Sequence, residues 1–301
     1  MNVLVSGATG LVGSYVVEGL VGGGYTVTPG GRAPPKATSV SQNGGAAIRT
    51  MVNLTLDPDA DQQQKFAGID AFIHLAFDHA PGRYRGGEGD NPQRFRRLNL
   101  DGSIRLFEQA KAAGVKRCIF LSSRAVYDGL PPGTVLSQTM TLAPDSLYGQ
   151  IKIEAEQALA QLSSPDFVTV SLRATGVYGD HWPNKWEGLF ADYRAERPLP
   201  CRAGSEVHGA DVTAAIRLLL QADGEIVNAR AFNISDIVTD GREILSVYAQ
   251  ASNSHHPLPA TADREGLNVM DTTRLATLGW RPGGHSLLVR TIASLASGKQ
   301  A

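Results

Sequence analysis

The chain has 301 residues, of which 42% are hydrophobic and 19% charged, with 28 basic against 29 acidic side chains and a formal net charge of −1. This is the composition of an ordinary globular protein with a sizeable core, and it excludes the basic field expected of a nucleic-acid or anionic-membrane binder. No apolar run approaches the ~20 residues needed to span a bilayer.

In chain order, "NVLVSG" reads as a first strand and "LVGSYVVEGLVGGG" as a helix with a glycine stop. "YTVTPGG" is a second strand, "AAIRTMVNL" a third and "DADQQQKFAG" a short helix, with an exposed loop expected over 33–45. "DAFIHLAF" is nearly all apolar, as a strand covered on both faces should be. A polar, Gly-rich loop (78–91) leads into one long helix, "PQRFRRLNLDGSIRLFEQAKAAG", and a fifth strand, "KRCIFLSS". A helix beginning near "SLYGQIK" precedes a sixth strand, "FVTVSLRA".

Strands alternating with helices imply a parallel, doubly wound α/β sheet of Rossmann type. After residue 175 the order breaks into loop-rich, aromatic sequence. "ADVTAAIRLLLQA" and "ARAFNI" read as a helix and a strand returning to the main sheet. The expectation is a dinucleotide-binding domain over 1–175, with 207–234 returning to it. A small discontinuous C-terminal substrate-binding domain takes 176–206 and 235–301. Cys118, inside an apolar run, and Cys201 form no disulfide framework. The chain enters a strand at its second residue, which leaves no room for a signal peptide; the expected location is cytoplasmic.

"SGATGLVG" sets Gly7, Gly10 and Gly13 as G-x-x-G-x-x-G between the first strand and first helix, with Thr9, Leu11 and Val12 in the same turn. Glycine allows the tight turn and the approach of backbone N–H groups to a pyrophosphate, which the helix N-terminus then faces. The second strand ends in Gly30, Gly31 and Arg32. A carboxylate there would bind the adenosine ribose hydroxyls; an arginine without an acidic neighbour favours NADP over NAD. Asn53 and Leu54 are placed to line the adenine, and Leu75 and Ala76, ending the fourth strand, are further cofactor contacts.

Ser123 closes the fifth strand at the edge where doubly wound sheets bind ligands. Tyr148 and Lys152, at i and i+4, share one helical face. A phenol, with its usual pKa of ~10, is too weak a base at neutral pH. A nearby ammonium favours the phenolate, and Tyr148 could then exchange a proton with a substrate oxygen. Ser123 would hold that oxygen, and Lys152 the nicotinamide ribose.

In the pieces "SGATGLVG", "FIHLA", "NLDGSIRLFEQAKAAGVKRCIFLSSRAVY", "YGQIK", "LRATGVYG", "VHGADV", "AFNI" and "LGWRP", taken in order, the chain resembles the extended short-chain dehydrogenase/reductases, the NAD(P)-dependent sugar epimerase/dehydratase group. The resemblance implies Ser123, Tyr148 and Lys152 as the catalytic set, Asn99 as an ordering residue, and a homodimer through the two helices before and after the fifth strand. Sugar dehydratases of the group carry an acidic pair where this chain has Arg124 and Ala125, so dehydration is not expected. Many nucleotide-sugar epimerases carry a diphosphate-gripping arginine at the position of Gly204; Arg202 or Arg264 could stand in for it.

Candidate substrate contacts are Phe77, Arg124, Tyr178, His181, Trp182, Lys185, Trp186 and His208. Trp182 and Trp186 suit either a sugar face or protein packing. Arg124 suits either an anionic substrate group or an ion pair. His255 and His256 lack the ligand spacing of a metal site, and none is expected. The reading is an NADP- or NAD-dependent oxidoreductase acting on a small sugar, polyol or sugar derivative. The alternative is a nucleotide-sugar 4-epimerase with tightly held cofactor, and a non-catalytic NADP-sensing regulator ranks third.

Overall fold

The computed structural model describes residues 1–32, 47–80 and 87–298. The loop expected over 33–45 lies outside them, as do residues 81–86 of the loop expected over 78–91. Twelve strands are described in chain order. They are β1 (Asn2–Ser6), β2 (Thr26–Gly31), β3 (Val52–Asn53), β4 (Ala71–His74), β5 (Arg117–Ser123) and β6 (Val135–Leu136). Then come β7 (Val168–Ala174), β8 (Gly176–Tyr178), β9 (Ala203–His208), β10 (Arg230–Ile234), β11 (Ile237–Asp240) and β12 (Val269–Met270).

Seven of them form one parallel sheet in the order β10-β7-β5-β4-β1-β2-β3. Its central strands β1 and β4 are mainly apolar on both faces because helices cover both. Val3, Val5 and Ile73 pack against helices Leu11–Gly22 and Gly209–Gln221. The alternate residues Leu4 and Phe72 face helices Gly102–Ala112 and Leu147–Gln161. The chain winds outward from β1 to β3 on one side and from β4 to β10 on the other. The reversal opens a crevice between β1 and β4 at their C-terminal ends, where this fold class binds ligands.

Three local expectations are corrected. The third strand, expected over 46–54, contracts to Val52–Asn53 plus a single bridge from Ile48 to Val27. It is the outermost strand and has a pairing partner on one side alone. The short helix read from "DADQQQKFAG" is a single 3₁₀ turn, Gln63–Phe66. The long helix from Pro92 is broken by a π-helical turn over Arg97–Asp101, which carries Asn99. Such a turn inserts one residue into the helical repeat without disturbing the apolar spacing enough to be read.

The second sheet, β11-β9-β8, packs with helices Glu187–Arg194, Gly241–Ser252 and Gly284–Ala296 around Tyr178, Trp186, Phe190 and Tyr248. A two-residue parallel ladder joins β12 to β6. Beyond it, Trp280 returns to the main core, where its indole N–H donates to the Asp211 carbonyl at 2.9 Å. Among the described residues no helix is long and apolar enough to cross a membrane.

Candidate active site

The glycine turn is built by close approach. Gly7 has φ +68°, and a Cβ there would lie 2.8 Å from the Ala76 backbone nitrogen; one at Gly13 would lie 2.1 Å from the Gly7 carbonyl oxygen. Gly10 caps the first helix without a side-chain bond, so the N–H groups of its first turn lack intrahelical acceptors and form an anion cradle. Leu54 is buried against Gly30, while Asn53 is exposed.

Behind the turn runs a buried polar chain. Ser103 Oγ donates to the Asn99 carbonyl at 2.6 Å, so it accepts from His74 Nε2 at 2.9 Å. His74 Nδ1 then accepts from Ser6 Oγ at 2.7 Å, and Ser6 Oγ accepts in turn from the N–H groups of Leu75 and Ala76. Burial, with the charge of Lys152, depresses the His74 pKa to about 3, which keeps this tautomer neutral. Asn99 clamps the next residues: its Oδ1 accepts from the Asp78 N–H at 2.6 Å and its Nδ2 donates to the Asp78 carbonyl at 2.8 Å. The Asp78 carboxylate takes Arg32 on one oxygen at 2.9 Å and Arg94 on the other at 3.1 Å. Sequence reasoning missed Asp78, Arg94 and His74. A lone histidine inside the apolar run "AFIH" was the one available signal.

At the other end of the crevice, Ser123 closes β5 and its Oγ accepts from Ala125 N–H at 3.1 Å. Ser146 caps the next helix by accepting from Gly149 N–H at 3.2 Å. A Cβ on Gly149 would lie 2.6 Å from the Ala125 carbonyl oxygen, so glycine lets the helix start dock on the turn after Ser123. Half-buried Tyr148 stands on this first helical turn. Lys152, one turn on, is 4% exposed. Its Nζ donates to the Leu121 carbonyl at 2.8 Å and lies 4.5 Å from the Phe120 ring centre, 4.6 Å from that of Phe77 and 5.8 Å from that of Tyr148. Burial lowers its pKa to about 7, with the Glu156 charge opposing. Phe77 meets the Tyr148 ring edge-on at 5.1 Å. Arg124 is held by Asp128 at 3.1 Å. This end therefore offers a phenol and, one helical turn on, a desolvated ammonium, on a helix that starts against the turn following the strand-end hydroxyl of Ser123.

The remaining candidates divide. Tyr178 and Trp186 stack on each other at 5.1 Å inside the core of the smaller lobe, so of the two alternatives open for Trp186 the structure shows protein packing. Trp182 is 47% exposed. His181 lies flat on Tyr15 at 3.8 Å and bonds Ser14 on the first helix. His208 Nδ1 caps helix Gly209–Gln221 at Ala210 N–H, and burial lowers its pKa to about 4. Lys185 pairs with Glu206 at 2.5 Å. Arg264 pairs with Glu243 at 2.9 Å and Asp240 at 3.2 Å, and a Cβ at Gly204 would meet open space. His256 pairs with Glu196 at 3.2 Å.

Residues 3–235 match the family model described as the NAD dependent epimerase/dehydratase family. Similar curated proteins include the UDP-glucose 4-epimerase of Mycolicibacterium smegmatis, 26% identical over 94% of each chain. That of Yersinia pestis is 29% identical over 60% of this chain, which spans 54% of that relative's length. Similar solved structures include the Thermus thermophilus UDP-glucose 4-epimerase complex with NAD (TM-score 0.77, 24% identity, 99% of this chain and 100% of that one). The Bacillus cereus UDP-glucuronic acid 4-epimerase in complex with NAD superposes at a TM-score of 0.80, with 19% identity over 100% of both chains. At these identities the two structures speak to the fold.

Proposed function

This chain belongs to the NAD dependent epimerase/dehydratase family, and from that premise we propose that it moves a hydride between a nicotinamide dinucleotide and a carbinol or carbonyl carbon of a small sugar, polyol or sugar derivative. The observation that carries this reading is the buried Lys152 ammonium beside the Tyr148 phenol, in the same crevice as a glycine cradle shaped for a pyrophosphate. The dinucleotide, when bound, supplies the hydride acceptor or donor. Tyr148 takes the substrate hydroxyl proton in the oxidising direction and returns it in the reducing one. Lys152 favours the phenolate by its charge, and Ser123 Oγ orients the reacting oxygen. Arg124, in place of an acidic residue after Ser123, argues against water elimination.

Net oxidation or reduction is the first reading, because two cations of the smaller lobe, Lys185 and Arg264, are engaged by internal carboxylates and not offered to a diphosphate. Nucleotide-sugar 4-epimerisation is the second, supported by the curated 4-epimerase that matches along nearly its whole length. The retained Ser123, Tyr148 and Lys152 argue against a purely sensing role. Arg32 supports NADP as the preferred dinucleotide, although the structure gives it an acidic neighbour after all, Asp78 at 2.9 Å, and the solved relatives named above were crystallised with NAD. A cytoplasmic homodimer, packed through helices Gly102–Ala112 and Leu147–Gln161, completes the proposal.

The test is the dinucleotide content of purified protein, followed by nicotinamide absorbance with a panel of sugars, sugar acids and UDP-sugars. Reversible binding with net absorbance change supports the first reading. Stoichiometric retention through gel filtration, with epimer formation and no net absorbance change, supports the second. Failure to bind any nicotinamide dinucleotide overturns both.

A further inference from the structure

We propose that Arg94 and Asp78 complete, with Arg32, the device that discriminates between phosphorylated and unphosphorylated dinucleotide, and that the Asp78 carboxylate sits where a ribose phosphate goes. The inference rests on the dinucleotide reading above and goes beyond it by adding two residues that no feature of the local sequence marks.

The placement comes from the sheet. Arg32 directly follows β2, and Asp78 lies four residues beyond the end of β4; β1, between these strands, leads into the glycine turn. The Asp78 loop touches that turn, since Ala76 packs on Gly7. All three therefore stand at the crevice edge beside the cradle. In folds of this kind a carboxylate ending β2 takes the ribose hydroxyls. Here Gly30 and Gly31 leave that place without one. The nearby carboxylate comes instead from the neighbouring loop and is already engaged by two guanidinium groups.

The charges and exposures favour exchange. The Asp78 side chain is 15% exposed, whereas Arg32 and Arg94 are 74% and 61% exposed. Asp78 is held through its backbone by Asn99, not through its carboxylate, so the carboxylate can release an arginine without losing its loop. Two guanidiniums against one carboxylate leave a net charge of about +1, and a phosphate monoester offers three acceptor oxygens and nearly two charges to the same forks. The 2′-phosphate of NADP fits this demand. Asp78 then competes with the phosphate for both arginines, which sets a modest rather than an absolute preference for NADP. The pyrophosphate common to both dinucleotides has the same chemistry, and the experiment separates the two sources.

Dissociation constants for NADP⁺ and NAD⁺ are measured by calorimetry at one ionic strength for wild type, Arg94→Ala, Arg32→Ala and Asp78→Asn. Loss of one charge-assisted contact predicts roughly tenfold weaker NADP⁺ in each arginine variant, with NAD⁺ changed by less than about twofold. Asp78→Asn keeps the shape and the Asn99 clamp but removes the competitor, so NADP⁺ binds several-fold tighter and NAD⁺ is unchanged. Equal losses for both dinucleotides in Arg94→Ala would put that arginine on the pyrophosphate and overturn the proposal. Weaker NAD⁺ with unchanged NADP⁺ in Asp78→Asn would make Asp78 a ribose-hydroxyl ligand and overturn it as well. No change in either variant would reduce the cluster to a surface ion pair. Should Asp78→Asn fail to fold, the two arginine variants decide. Wild-type protein that binds neither dinucleotide sinks the proposed function itself.

Discussion

Replacing Lys152 by methionine should abolish turnover and at the same time stabilise the protein. The lysine is buried, and its pKa falls from 10.5 to about 7. A displacement of that size corresponds to roughly 4–5 kcal/mol held against the charged side chain in the fold. The hydrogen bond to the Leu121 carbonyl and the two short approaches to aromatic rings return part of it, about 1 kcal/mol each. Methionine keeps the length and the ring contacts without the charge, so a net gain of about 2 kcal/mol remains at pH 7. An unfolding entropy near 2.1 cal/mol/K per residue turns that into a rise in Tm of about 3 °C for a chain of 301 residues. The pH dependence fixes the sign. The folded pKa lies below the unfolded one, so the penalty in the wild type is full below pH 7, shrinks as pH rises, and is gone above about 10.5. Thermal unfolding of both proteins without dinucleotide, followed by circular dichroism from pH 6 to 10, reads the difference. A methionine variant less stable than wild type at pH 7, or an advantage that stays flat across this range, would refute the reasoning.

Tyr148→Phe should reduce turnover by roughly 10²–10⁴-fold, the worth of a general acid–base, with dinucleotide affinity within about twofold; substantial residual activity removes Tyr148 from proton transfer. Arg124→Ala should raise KM for an anionic substrate by about tenfold with cofactor affinity unchanged, and an unchanged KM would confine Arg124 to its pairing with Asp128. Glu156→Ala leaves the buried Arg173 guanidinium without the carboxylate that it meets through three hydrogen bonds at 2.6–3.1 Å. Breaking one side of such a pair costs about 3–5 kcal/mol, measurable by denaturant unfolding; a loss below about 1 kcal/mol would show that Tyr127, bonded to Arg173 at 2.6 Å, compensates.

The strands buried on both faces were legible because apolar residues dominate them; all seven residues of β7 and all four of β4 are buried, including the polar Thr169, Ser171, Arg173 and His74. The glycine turn was legible because close backbone approach needs glycine at Gly7 and Gly13 and nowhere else nearby. Two-residue strands such as β6 and β12 carry no periodicity, and their pairing joins segments more than 130 residues apart. A separation of 46 residues likewise hid Asp78 from Arg32, and the destination of Trp186 depended on Tyr178 and Phe190 arriving beside it. The π turn went unread because the residues around Asn99 keep a helical spacing. What sequence periodicity conveys is the face a residue turns inward; which distant segment meets it there is decided by topology.

The way β6, β10 and β12 are shared has a consequence for how the molecule assembles. β7 waits for β10, roughly 60 residues later, and β6 waits for β12. Asn233 in β10 knots these joints together by accepting from the Tyr127 hydroxyl and donating to the Leu136 carbonyl, and Trp280 closes over Asp211. Closing such long loops is entropically slow. A nascent chain released at residue 235 would hold its glycine cradle yet leave β6 unpaired and the main core open where Leu275 and Trp280 belong. These joints predict a single cooperative unit whose later segments seal its earlier ones, so fragments cut at the apparent lobe boundary should aggregate rather than persist as free halves.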